Sequence, residues 1–244
     1  EMTSSLVGSE MCIRDRYLIN ARGLNTLQAG AMLAVMGLGS IVAGAQAHVM
    51  AAKLTPAGVI QLGLVIEIIA VALVAVLMPV GLSVWWQLIP MAAYGLGLGF
   101  ASAQLTSVVL SEVPIMQSGE GSATQSTVRQ LGTAVGSAIS GASLAMAVNG
   151  TLPARLESLG LPAKVGDGLA QAVSGSAGGV IGVFRSGDGP AARFGDEAPK
   201  IADAMTSGFI EGGQWTLLVA GIMLFIGLLA SVAVRRAASS HNVR

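Results

Sequence analysis

Glu67 stands near the middle of VIQLGLVIEIIAVALV (59–74), the lone charged side chain of that run. A carboxylate among aliphatic residues is costly unless it is protonated, paired or hydrated. Glu67 is therefore a candidate proton carrier. The plainer expectation is a neutral carboxyl bonded to a neighbouring helix. Ser102, Gln104 and Thr106 come late in another apolar run, and Gln46 and His48 late in a third. Each set has the chemistry to line a cavity or to bond across a helix interface. Arg129 and Gln130 open a further run; Arg129 is expected to snorkel to an interface, with gating as the sharper alternative. No nucleophile–base pair, phosphate loop or HExxH motif occurs, so nothing supports an enzyme. His48 and His241 are too few and too far apart for a metal site, and Cys12 is the single cysteine. That excludes disulfides within the chain and a thiolate cage. No residue set calls for a cofactor.

The elements that carry these residues follow from composition. Hydrophobic residues make up 53% of the chain and charged residues 11%, with mean hydropathy +0.72. A soluble domain carries roughly 25% charged residues because its surface faces water. Here much of the surface must face lipid. The formal net charge of +0 gives no basic face for nucleic acid. About 20 mostly apolar residues cross the hydrocarbon core as a helix, and five stretches qualify. They are Leu27–Ala52, Ala57–Met78, Val84–Leu110, Ala123–Val148 and Gln214–Val234. The predicted fold is an all-α polytopic membrane protein. Asn25 with Gln28, and Ser122 with Gln125, have capping-box spacing. Thr55-Pro56 reads as an N-cap followed by proline at the first helical position. Pro114 helps stop the third stretch, and Pro90 inside it predicts a kink.

Arg235 and Arg236 come directly after the fifth stretch, which predicts a cytoplasmic C-terminus. Alternation then places Lys53 and Arg129 inside and Trp85, Trp86 and Trp215 at the outer interface; Arg22 is a mild exception. Residues 149–213 become an outer loop with short amphipathic pieces at Ala154–Leu159 and Ala198–Phe209, expected as a plain connection, with a small partner-docking element as the alternative. Its five basic residues do not oppose this, because long loops translocate largely regardless of charge. Gly95 and Gly99 form a GxxxG pair with Gly97 between them. Gly132, Gly136 and Ser140 continue a small stripe on the fourth stretch, beside Ala134, Ala138 and Ala142. Small residues let helices approach closely in lipid, so these are packing faces, and faces that could slide.

Residues 1–16 contain SSLVGSEMCIRDR, a mixed polar run without apolar period or secretory layout. It is expected to be a non-native leader, and Cys12 would go with it.

The run LNTLQAGAMLAVMGLGSIVAGAQAHVMAAKLTPAGVIQLGL (24–64) resembles a late helix–loop–helix of the major facilitator superfamily. YGLGLGFASAQLTSVVLSEVP (94–114) followed by GEGSATQSTVRQLGTAVGSAISG (119–141) is similar to its fourteen-span drug:proton antiporter branch, the EmrB/QacA type. The resemblance extends from Tyr17 to about Val234 and is thinnest through the outer loop. It implies a six-helix C-terminal domain of which the last five helices are present, with a truncated helix ending at Tyr17–Asn20 and a missing N-terminal transporter domain. It also implies that the first, third and fourth stretches face the central cavity, while the second and fifth are peripheral, which counts against a transport role for Glu67. The family's cytoplasmic loop motif is reduced here to Lys53 and Gly58. The activity that the resemblance implies is export of small amphipathic drugs or toxic compounds in exchange for protons, from the bacterial inner membrane. The alternatives are export of a specific metabolite, such as a siderophore or amino acid, and an inert fragment.

Overall fold

The computed structural model describes residues 25–78, 84–111, 113–187 and 189–241. The polar leader, Cys12, Arg22 and the truncated helix at 17–20 lie outside the described residues. The described chain is helical throughout: α1 (Thr26–Leu54), α2 (Pro56–Leu77), α3 (Leu88–Ser111), α4 (Ser118–Ser158), α5 (Ala163–Gly175), α6 (Gly179–Ser186) and α7 (Ala198–His241). Single 3₁₀ segments precede α3 (Val84–Gln87), α4 (Ile115–Gln117) and α7 (Gly189–Glu197). Among them α1, α2, α3, α4 and α7 are long and apolar enough to cross a membrane, matching the five predicted stretches.

Local chemistry sets the ends. The Gln28 amide donates to Asn25 Oδ1 at 2.8 Å and the Asn25 amide to Gln28 Oε1 at 3.2 Å, so the predicted capping box is formed. Thr55 Oγ1 accepts from the Gly58 amide at 3.3 Å, and Pro56 comes next, at the first helical position. Two expectations change. Pro90 falls in the first turn of α3, where its missing amide is one that no helix bonds internally, so no kink is required. The second capping box does not form, because α4 starts at Ser118 and carries Ser122 and Gln125 inside it.

Three helices form a tight bundle built on glycines. Gly95, Gly97 and Gly99 sit two residues apart, so Gly95 and Gly99 share one face of α3 while Gly97 and Ala101 lie on nearly the opposite one. The first face meets α1: a Cβ at Gly99 would lie 2.3 Å from the Ser40 carbonyl oxygen. The second meets α2: a Cβ at Gly97 would lie 2.6 Å from the Gly63 carbonyl oxygen. Gly39 and Gly63 return these approaches from α1 and α2, against Ala92 O and Gly97 O. Helix backbones in near contact gain dispersion that lipid cannot match, which is what holds helices together where water exclusion is absent.

The fourth and fifth spans behave differently. At 1.5 Å per residue, the 41 residues of α4 run about 60 Å and the 44 of α7 slightly more, roughly twice the hydrocarbon thickness. Both must project beyond it. The stripe predicted on α4 divides: Gly136 and Ser140 are buried and continue as Leu144, Val148, Leu152 and Leu156, whereas Ala134, Ala138 and Ala142 face outward. The buried stripe packs on α7, with Val148 and Leu152 against Gly212 and Gly208.

Residues 149–213 are a folded helical cap rather than the plain connection expected. The C-terminal part of α4, the short α5 and α6, and the first turns of α7 enclose Leu156, Leu161, Val173, Ile181, Phe184, Ile201, Met205 and Phe209. The turn out of α4 is a Schellman motif. Gly160 takes φ +87, its amide bonds the Glu157 carbonyl, and the Leu161 amide bonds the Leu156 carbonyl at 3.2 Å. The amphipathic pieces at Ala154–Leu159 and Ala198–Phe209 are the projecting ends of α4 and α7. Outside this core Arg155 pairs with Glu211 across the two helices, with side chains 43% and 36% exposed. At that exposure the pair contributes little. Replacing Glu211 with glutamine should change cap stability by less than about 1 kcal/mol, read as protease resistance of the 149–213 segment; rapid cleavage there would show the pair to be structural.

The two units join through α2 and α7. Gln214 Nε2 donates to the Ala75 carbonyl at 2.8 Å near one end, and Arg235 NH1 donates to Gln61 Oε1 at 2.9 Å near the other. These contacts fix α2 and α7 as antiparallel. Trp85, Trp86 and Trp215 are all exposed, and Trp215 lies beside Gln214, at the end of the α2–α7 pair opposite Arg235.

Candidate functional site: a polar cleft between the third and fourth spans

The sequence candidates do not gather in one place. Glu67 is fully buried on the α2–α3 contact, its Cγ against Gly97. Helix α2, which the resemblance implies to be peripheral, lies between α3 and α7 here: it turns its carboxyl to α3, while the adjacent Ile68 faces α7. Gln46 and His48 are exposed on α1, with no hydrogen bond among the described residues, so the interhelical bond considered for them is not made. Gln104 is buried on the face of α3 that carries Gly97 and Ala101, Arg129 is exposed on α4, and only Ser102 and Thr106 share the α3 face that meets α4.

Thr106 ties α3 to α4. Its Oγ1 accepts from Gln125 Nε2 of α4 at 3.2 Å. Ser102, one turn earlier on α3, is exposed and turns its hydroxyl back onto the Leu98 carbonyl. Gln104 is buried at 1% exposure, and its Nε2 finds no acceptor among the described residues. A buried amide N–H without an acceptor costs about 1–3 kcal/mol.

Beyond Thr106 the two helices part. α4 packs along α7 and the cap and touches α3 only sparsely. The opening, about 520 Å³, is lined by Val109 and Val113 on one side and by Gln117, Glu120, Thr124, Gln125 and Val128 on the other. Its polar character comes from the start of α4, which hydropathy assigns to the connection. Because α4 begins at Ser118, Arg129 stands about three turns inside the helix rather than at its mouth. It is exposed there, with Gln130, Thr127 and Ser137 also outward.

Sequence reasoning passes over Gln117, Glu120, Thr124 and Gln125, although their signal is present as an unusually polar helix face. A span sought by hydropathy discounts turns that line water. A larger hollow of about 740 Å³ opens between α2 and α7, lined by Val71, Ala75, Leu218, Ile222 and Phe225. It is almost wholly apolar and holds none of the candidate residues. No group of metal-ligating side chains occurs among the described residues.

No protein-family model matches the chain. A curated protein, the tetracenomycin C resistance and export protein of Streptomyces glaucescens, is 25% identical over 225 residues, covering 91% of this chain. The chain spans 40% of that relative's length. The five long apolar helices are those of a polytopic integral membrane protein.

Proposed function

We propose that the chain is the C-terminal membrane half of a secondary transporter that exports amphipathic drugs or toxic compounds in exchange for protons. Its architecture would be that of the major facilitator superfamily, in the fourteen-span branch. The observation that carries the reading is the cleft between α3 and α4, lined on its α4 side by Gln117, Glu120, Thr124 and Gln125. A helix that crosses lipid yet turns glutamine, threonine and arginine outward needs a water-lined path beside it.

Two units favour alternating access. The glycine-packed α1–α2–α3 group meets backbone to backbone, whereas α4 is held mainly by α7 and bonds α3 through Thr106 and Gln125. Rocking of one bundle against another around a central site is how such transporters alternate. Glu67 supplies a carboxyl buried between α2 and α3 as the candidate proton carrier. The partners are the bilayer, a preceding transporter domain, protons and an amphipathic substrate; the cell would be bacterial, the membrane the inner one and the C-terminus cytoplasmic.

The test uses inverted vesicles containing either this chain alone or this chain preceded by its transporter domain. The joined protein should move a fluorescent amphipathic drug only while a proton gradient stands, and the chain alone should move none. Gradient-independent movement by the joined protein would sink the proton exchange. Gradient-driven movement by the chain alone would sink the half-transporter reading.

A further inference from the structure

The helical cap contains a second cavity that the transport reading does not use. Its volume is about 510 Å³, within the range of small-molecule sites. Three short elements build it. α5 is apolar over two adjacent stripes: Gly166, Ala170 and Val173 are buried, while Val165, Leu169 and Ala172 are only half-buried and form one wall. Val180, Val183 and Phe184 of α6 form the second wall, and Arg193 and Phe194 close the third. The Phe184 and Phe194 rings lie 5.6 Å apart at 40°, a tilted pair that leaves ring surface toward the hollow. Half-used apolar stripes are the reason for the space: the cap core needs one stripe of α5, and the other has no helix to cover it.

Arg193 is the sole charged or hydrogen-bonding side chain in this lining. It is exposed, and no carboxylate among the described residues lies within ion-pair distance of it. Charge complementarity therefore selects the occupant. A cation would meet a like charge. A neutral apolar molecule would gain nothing from the hydrated guanidinium, whereas a carboxylate on an apolar body would take two parallel charge-assisted N–H···O bonds from it.

We infer that the pocket formed by α5, α6 and the 189–197 segment binds a small amphipathic anion, an aromatic or branched apolar carboxylate, with its anionic group on Arg193 and its body between Leu169, Val183 and the Phe184–Phe194 pair. This site lies in the cap and does not depend on the transport reading.

The probes are 2-naphthoate and its neutral counterpart 2-naphthylmethanol, titrated by intrinsic probe fluorescence onto the full chain in nanodiscs, with empty nanodiscs as blank. Naphthoate should bind the wild-type chain saturably and at least tenfold more tightly than the alcohol. Arg193→Gln, a change at an exposed position, should lower naphthoate to the level of the alcohol and leave the alcohol unchanged. Leu169→Trp, filling the hollow, should abolish both while the helical circular dichroism remains. Equal naphthoate affinity in wild type and Arg193→Gln would overturn the proposal. So would a signal no greater than that of empty nanodiscs, which would show the probe to be partitioning into lipid.

Discussion

A leucine at Gly95 leaves no stable folded protein. A Cβ at that position would lie 2.0 Å from the Met36 carbonyl oxygen and 2.9 Å from its carbonyl carbon. Both are backbone atoms in the interior of α1, so no rotamer change relieves the clash. The two helices must separate, and every close approach along the α1–α3 contact, including Gly99 on Ser40 and Gly39 on Ala92, is lost with it. An extra methylene in a packed core costs about 1–3 kcal/mol when side chains can yield. Here the backbone must yield, so the cost exceeds that range and takes a large share of a total stability of about 5–15 kcal/mol. Gly95→Leu is therefore expected to elute as aggregate in detergent size-exclusion chromatography. The matched controls lie on α1: a Cβ at Gly30 or Gly44 meets nothing within 4 Å. Alanine there should be neutral or stabilising by up to about 1 kcal/mol through helix propensity. A monodisperse Gly95→Leu protein melting at the wild-type temperature would show that α1 and α3 do not meet at these glycines.

The second large effect concerns function without stability. Glutamine at Glu67 keeps the volume and shape that fill the space against Gly97 but cannot gain or lose a proton. In the complete transporter, Glu67→Gln is expected to reach wild-type levels in the membrane and to lose proton-driven export entirely. The readout is drug accumulation in energised cells with and without an uncoupler. Efflux equal to wild type in the glutamine variant would confine Glu67 to packing. Loss of the protein from the membrane would show the opposite error, that the carboxyl holds α2 and α3 together and the export assay says nothing about protons. The burial of Glu67 between two helices means that it exchanges protons only when α2 and α3 loosen or when water reaches the Gly97 face. Coupling would then require movement within the three-helix bundle that the glycines make tight.

The two units differ in what holds them. α1, α2 and α3 meet backbone to backbone, whereas α4 and α7 meet through Leu144, Val148 and Leu152 seated on glycines and are braced by the cap.

Much of this is legible in the residues. Length of apolar run against hydrocarbon thickness is a local property, so the five spans, the Asn25 capping box, the Thr55-Pro56 start and the GxxxG face on α3 can all be read from the chain itself. The cap cannot. α5 and α6 are short and individually marginal, and they are helical because Leu161, Val173, Ile181 and Phe184 bury one another against α4 and α7; no window of sequence contains that sum. The start of α4 is a further point that the sequence does not fix. Hydropathy marks the start of the span at Ala123, but the chain becomes helical at Ser118, as soon as Pro114 and the 3₁₀ turn release it.

Solvent choice and span count are thus determined by the sequence alone, since each depends on the transfer cost of the residues in one segment. Which face of each helix meets which neighbour is decided only by the tertiary structure. That includes Glu67 on Gly97, Gln125 on Thr106 rather than on its own helix start, and Arg193 at the rim of an apolar pocket. Such pairings depend on the relative rotation of helices distant in sequence, which close packing selects from many locally equivalent arrangements.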